Sequence, residues 1–186
     1  MRGNAHLPGA PGLVAPRRGA LQRAPVLALG AIGAGLAGAP ILRQPQALLV
    51  WNASASAPIG LYRVEPGATL RRGDMVAAAA PPLFRRLAAE RGYLPLTARL
   101  IKHVAALGGD RVCAEGPLLF INGRVAALRL KADFRGLPLS WWRGCGQLPE
   151  GEFLLLGEGP RSFDARYFGP VGSDLVLGKA IKLWAR

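Results

Sequence analysis

The stretch ARLIKHVAALGGDRV, Ala98–Val112, sets a lysine in the middle of an apolar run and closes that run with a Gly-Gly-Asp turn. The run reads as a β-strand, and side chains alternate along a strand. Leu100, Lys102 and Val104 therefore share one face, and Ile101, His103 and Ala105 share the other. A lysine flanked by Leu and Val on its own face is a candidate for burial. The competing reading is a surface lysine on an edge strand, with its amine reaching water. Burial disfavours the ammonium form and lowers its pKa. Moving an amine from about 10.4 to about 8 costs roughly 3 kcal/mol, a cost that folds seldom carry without a use. A neutral lysine amine is able to take the proton of a serine hydroxyl.

Outward from this strand, short β-prone segments recur. QALLVW (46–51) and GLYRVEPGATLRRGDMVAAAA (60–80) read as strands, with turns at Pro66-Gly67 and Gly73-Asp74. LLFINGRVA (118–126) reads as two strands around Asn122-Gly123, the signal of a type I′ hairpin. GEFLLLGEG (151–159) and DLVLGKAIKLW (174–184) add two more. PPLFRRLAAERGYL (81–94) reads as one amphipathic helix. Leu83, Phe84, Leu87, Ala88 and Leu94 line its apolar side, and its arginines face out. The expectation is a mainly β fold of coiled antiparallel sheets with one short helix.

The N-terminal part is different. Ala24–Leu42 is a run of nineteen uncharged residues, close to the ~20 needed to span a bilayer. Arg2, Arg17, Arg18 and Arg23 precede it, and only Arg43 follows closely. The positive-inside rule then puts the N-terminus in the cytoplasm and the rest of the chain outside. The expected organisation is a disordered basic tail (1–23), a transmembrane signal anchor (24–43) and an extracytoplasmic domain (46–186). A hairpin and insert region (113–150) lies within that domain. A signal peptide cleaved after GLAGAP and a buried core helix are the competing readings of the apolar run. Trp51 reads either as a headgroup-level anchor or as a core tryptophan.

The formal charge is +13, and the first fifty residues carry five arginines and no acid. The remaining arginines are scattered without basic runs or interleaved aromatics, so nucleic-acid binding is not expected. The chain has two cysteines and two histidines, none at ligand spacing, so no metal or other cofactor is expected. An even cysteine count in an extracytoplasmic domain suggests a Cys113–Cys145 disulfide; two buried thiols are the alternative.

A serine nucleophile needs a base. WNASASAPIGLY (51–62) carries Ser54 and Ser56 just before Pro58, and they also read as plain turn residues. His6 precedes the expected anchor, so a Ser/His/Asp triad would depend on His103 alone. Asp164 and Arg166 stand two apart, and on a strand they would share a face as a structural ion pair. Ser162 also reads as a local cap.

Four segments, in order, change the weight of these readings. NASASAPIGLY, LIKHVAALGGDRV, LFINGRV and SFDARYFGPV resemble successive motifs of the TraF-type conjugative-transfer peptidases, a branch of the type I signal peptidases. The resemblance covers residues 52–172. It implies a signal-peptidase fold similar to that of LexA and UmuD, with a Ser–Lys dyad. Ser56 falls at the nucleophile and Lys102 at its general base. Ser54 falls at a hydroxyl that helps hold the oxyanion, and Ser162 at one that orients the lysine amine. Asp164 falls at an important carboxylate, and Arg166 is its expected ion-pair partner. Two positions depart from the pattern. Gly108 replaces a proline, which predicts a looser turn, and Ala165 replaces a serine; neither is a catalytic group.

The implied protein is an inner-membrane serine endopeptidase with a periplasmic catalytic domain. It would act on a membrane-embedded, pro-pilin-like precursor with small residues before the cleaved bond. The acyl-enzyme would be resolved by water or, as in this family, by the substrate's own N-terminus to give a cyclic pilin. The alternatives are a general type I signal peptidase, a non-catalytic membrane-anchored scaffold of a secretion system, and a self-cleaving LexA-like regulator. The expected anchor and the absence of a helix-turn-helix pattern in the sequence argue against the last.

Overall fold

The computed structural model describes residues 49–185. The expected tail and membrane span lie outside the described residues. Among the described residues, no helix is long and apolar enough to cross a membrane.

Seven strands form the larger sheet: β1 (Leu49–Asn52), β2 (Gly60–Glu65), β3 (Met75–Ala78), β4 (Leu100–Leu107), β9 (Glu152–Leu156), β10 (Val171–Gly172) and β11 (Val176–Ala185). Their spatial order is β1-β2-β11-β3-β4-β9-β10, and every pairing is antiparallel. The smaller sheet has four: β5 (Arg111–Glu115), β6 (Leu118–Ile121), β7 (Arg124–Leu128) and β8 (Gly144–Gln147), in the order β7-β6-β5-β8. Two short α-helices, α1 (Pro82–Glu90) and α2 (Ala165–Phe168), and a 3₁₀ turn (Ser173–Leu175) complete the regular structure of the described residues. The mainly β, antiparallel architecture expected from the sequence is the one observed.

The strand β11 pairs with β2 over one part of its length and with β3 over the other, and its register shifts in both pairings. Such bulges bend a strand and increase its twist, which is how one strand serves two neighbours in a curled sheet. A further shift lies in β4 between Val104 and Ala106.

The strand β4 sits between β3 and β9, so neither of its edges is open. Its inward residues Lys102, Val104 and Ala106 are buried, and its outward residues His103, Ala105 and Leu107 are half-buried. The edge-strand reading of Lys102 is thereby excluded.

The two sheets meet at the turn after β4. The carboxylate of Asp110 accepts from Leu107 N at 3.0 Å and Asn122 Nδ2 at 2.9 Å, and pairs with Arg72. Gly109 N donates to Leu148 O at 2.9 Å, and Leu148 N to Asp110 O at 2.8 Å. The turn is not loose. A Cβ at Gly108 would stand 2.9 Å from the Glu150 Cα, so the backbone of Glu150 occupies the space that a proline would need. In the hairpin between β6 and β7, Asn122 and Gly123 both take positive φ, 49° and 77°, as a type I′ turn requires.

One apolar cluster joins both sheets through Ala106, Val112, Leu119, Leu148, Leu154 and Ala165. A second packs Val50, Ala57, Tyr62, Val64 and Ile101 beneath the serine turn. Cys113 and Cys145 face each other across β5 and β8 and are joined as a disulfide. Every residue of β8 is exposed, so the cross-link holds an edge strand that buries little of its own surface. Glu115 lies beside the two cysteines, but with both sulfurs in the disulfide the group offers no thiolate to a metal.

The helix differs from expectation at both ends. Leu83 is 73 % exposed, because Phe84 and Ala88 face inward and Leu83 sits off their stripe. Phe84 packs with its ring tilted against those of Phe163 and Phe168. Gly92 takes φ 63°, and Tyr93 N returns to Ala88 O at 2.8 Å, a glycine-type helix stop that leaves Leu94 outside the helix. Trp51 is half exposed and stacks on Trp184 at 5.8 Å, so it is not a core tryptophan.

Candidate active site

The serine turn links β1 to β2. Ala57 is buried in the core beneath it, and the hydroxyl of the buried Tyr62 donates to Pro58 O at 2.6 Å. These two contacts fix the end of the turn. The buried Asn52 spans its start, bonding to the backbone of Ser54, Ala57 and Pro58. Ser56 O accepts from Glu158 N at 2.9 Å, which ties the turn to the chain leaving β9. The Ser54 and Ser56 hydroxyl oxygens are 2.9 Å apart.

Lys102 is 2 % exposed, and its Nζ donates to Ser162 Oγ at 2.7 Å. Burial lowers its pKa to about 8; the Asp164 charge opposes that fall and the Arg166 charge adds to it. Ser162 is buried with its hydroxyl on the amine, so its side chain serves Lys102 and not a helix end. His103 points to the other side of β4. Its Nδ1 lies 3.3 Å from Gly73 O, and its Nε2 lies 3.1 Å from Glu158 Oε1. It does not line the cleft that holds Ser56 and Lys102, so a histidine triad is not assembled.

Asp164 and Arg166 do not lie on a strand. Asp164 caps α2, accepting from Arg166 N at 3.0 Å, and Arg166 is in the first turn of that helix. Their side chains form a buried ion pair. Between them they hold Gly157, which neither the motifs nor the spacing singled out. Asp164 Oδ2 accepts from Gly157 N at 2.8 Å, and Arg166 Nη2 donates to Gly157 O at 3.2 Å. A Cβ at Gly157 would stand 2.8 Å from Ser56 O and 3.0 Å from Lys102 Nζ, and would also press on Ser162 Oγ. The backbone of Gly157 is thus the point around which the serine turn, the lysine and Ser162 converge. The only sequence signal was a glycine directly after an apolar strand.

Ser54, Ser56, Lys102 and Ser162 open into one cleft of about 730 Å³. Its apolar lining includes Leu94, Leu100, Leu130, Leu139 and Phe163. One wall is the segment between β7 and β8, clamped at its base. The buried Arg129 donates to Trp142 O at 2.6 Å and to Gly116 O, and lies over the Trp141 ring. Trp142 Nε1 donates to Ala165 O at 2.8 Å. At its tip, Asp133 bonds to the Tyr93 hydroxyl and pairs with Arg91 at 3.5 Å, joining this wall to the end of α1. None of these clamping residues stood out in the sequence, because each acts through a partner far along the chain.

Two variants test this geometry. Below pH 8 Lys102 is protonated in both folded and unfolded chains, and the folded amine carries its burial cost. As pH rises from about 8 to 10.5, the folded amine is neutral while the unfolded one still holds its proton, so stability increases by up to roughly 3 kcal/mol. Lys102→Met should lose that increment and be more stable than wild type at pH 7 by about 1–3 kcal/mol. Denaturant unfolding at several pH values checks this; a less stable variant would contradict it. Gly157→Ala should cost only about 1–3 kcal/mol of stability. It should lower any reaction carried out in this cleft by about 100-fold or more, since small misplacements of reacting groups are costly. A Gly157→Ala protein with unchanged activity would remove Gly157 from the site.

Comparison with known proteins places the chain in a family. Residues 21–185 match the family model of signal peptidase, peptidase S26. The conjugal transfer protein TraF of Agrobacterium fabrum is 35% identical over 171 residues, covering 86% of this chain and 94% of its own. A plasmid transfer protein TraF of Escherichia coli is 32% identical over 162 residues, covering 79% and 89%. A signal peptidase I of known structure from Enterococcus faecalis V583 is 24% identical and covers 60% of this chain and 97% of its own, with a TM-score of 0.35. With the family model matching nearly the whole chain and the TraF proteins matching most of it, this chain belongs to the S26 signal peptidases and, among them, to the TraF group.

Proposed function

We propose that the chain is a membrane-anchored serine endopeptidase of conjugative transfer, which cleaves an exported pro-pilin-like precursor with Ser56 as nucleophile and Lys102 as general base. The observation that carries this reading is a fully buried amine, its pKa lowered to about 8, opening into the same cleft as Ser56. At pH 7 about a tenth of such an amine is neutral, which suffices for a base that must also return its proton.

The precursor enters the cleft extended. Ser56 Oγ bonds to the scissile carbonyl carbon while its proton passes to Lys102 Nζ. Ser162 holds that amine in place. The carbonyl oxygen takes the displaced electron pair and is stabilised by Ser54 Oγ–H and the Ser56 N–H; one such donor is typically worth about 3 kcal/mol. The Lys102 ammonium then protonates the leaving amine, giving the acyl-enzyme. Water, or the N-terminal amine of the same product, attacks the ester and regenerates Ser56. Attack by the amine closes a ring.

The domain would lie on the periplasmic side of the inner membrane, held by residues 24–43. Leu49, Trp51, Leu183 and Trp184 are each half exposed, and Trp51 stacks on Trp184, an apolar surface suited to the bilayer interface.

The test is precursor processing in cells that carry Ser56→Ala or Lys102→Arg. Both variants should accumulate unprocessed precursor while the enzyme is present at its normal level. Mature product in either would reject the dyad, and with it the peptidase reading in favour of a scaffold. Mass spectrometry of the wild-type product distinguishes the two outcomes of the acyl-enzyme, since the cyclic form is lighter by one water.

A further inference from the structure

The dyad leaves one buried polar side chain of the serine turn without a role. Asn52 is 4 % exposed, and both ends of its amide are engaged. Its Oδ1 lies 3.3 Å from Ser54 N and 3.2 Å from Ser54 Oγ. Its Nδ2 lies 2.9 Å from Ser54 O, 2.9 Å from Ala57 O and 3.1 Å from Pro58 O. The surroundings fix its orientation. Three carbonyls accept only and must face the NH₂, while the Ser54 N–H donates only and must face the oxygen.

That orientation determines where the neighbouring protons lie. Ser54 Oγ has one proton and two neighbours. Asn52 Oδ1 is unable to donate, so the bond between them uses the Ser54 proton. The 2.9 Å contact between the two serine hydroxyls is then made by the Ser56 proton, with Ser54 accepting. Donation runs one way, from Ser56 to Ser54 to Asn52. A Ser54 that donated to Ser56 would instead occupy a lone pair of the attacking oxygen.

We propose that Asn52 is a positioning residue that sets the direction of this relay, holding the Ser54 hydroxyl proton on Oδ1 until a substrate oxygen becomes negative and takes it. This rests on the reading of Ser56 as the nucleophile. As Ser56 Oγ bonds to the carbonyl carbon, its proton turns from Ser54 Oγ to Lys102 Nζ and the carbonyl π pair goes to oxygen. The Ser54 O–H then rotates from Asn52 Oδ1 to that oxygen, so Ser54 keeps its own proton and the one proton transferred is that of Ser56. Asn52 therefore acts through Ser54.

A double-mutant cycle tests this on the full chain in detergent micelles. The substrate is an internally quenched peptide spanning the junction mapped in the processing experiment. Asn52→Ala should lower kcat about 10- to 100-fold, with KM changed less than about threefold. In a Ser54→Ala background the same change should lower kcat less than about threefold, because the proton it directs is gone. If Asn52→Ala does not fold, Asn52→Ser takes its place. Its hydroxyl still offers a donor to the turn carbonyls but carries no amide oxygen to hold the Ser54 proton, so its loss of kcat should also shrink once Ser54 is removed. An equal loss in both backgrounds, or a loss confined to KM, overturns the proposal and leaves Asn52 as a backbone brace. Turnover retained in Ser56→Ala would reject the dyad itself, a failure distinct from that of this inference.

Discussion

The desolvation of one amine governs the arrangement of this domain. Water would hold the Lys102 ammonium at its ordinary pKa, far above the range where a base is useful. Placing Lys102 on an interior strand, pairing it with Val76 and covering it with Gly157 and Ser162 removes that water. The larger sheet can be read as the apparatus that keeps β4 flanked on both edges. The bulged β11 closes the far side of β3, and β9 delivers Gly157 to the near side.

A buried base is sensitive to charge, and a lone carboxylate close by would undo the effect of burial. Asp164 is fully buried and pulls the Lys102 pKa upward. Arg166 answers that charge directly through the ion pair and pushes the lysine back down. The same pair grips both polar groups of Gly157. Buried ion pairs are costly to break from one side, by about 3–5 kcal/mol, because the remaining charge is left unpaired. Asp164 and Arg166 thus serve the shape and the electrostatics of the site together, without being required to touch the substrate.

Much of this was legible in the sequence, for local reasons. The alternation around Lys102 made it a candidate for burial beside the surface reading, and Asn122-Gly123 specified its hairpin from two residues. The order of four motifs brought Ser54, Ser56, Lys102 and Ser162 to one cleft. What the sequence did not reveal depends on contacts between distant segments. The importance of Gly157 lies in the absence of a side chain, and only the converging serine turn and lysine reveal it. Asn52 carried no signal of its own, because its role depends on the turn that encloses its amide. The two-residue spacing of Asp164 and Arg166 offered an ion pair on a strand, and it carries no sign that a four-residue helix forms that pair instead. Leu83 was assigned to the apolar stripe of α1, but the inward direction of that helix is chosen by Phe163 and Phe168, far along the chain.

The most direct test is the ionisation of Lys102 itself. The chain can be labelled with isotopic lysine and the Lys102 resonance assigned by its loss in Lys102→Met. NMR titration then reads the proton on that amine in the resting enzyme. The account predicts a midpoint near pH 8, well below the ordinary value of a lysine amine, about 10.4. A Lys102 that titrates near that ordinary value would contradict it.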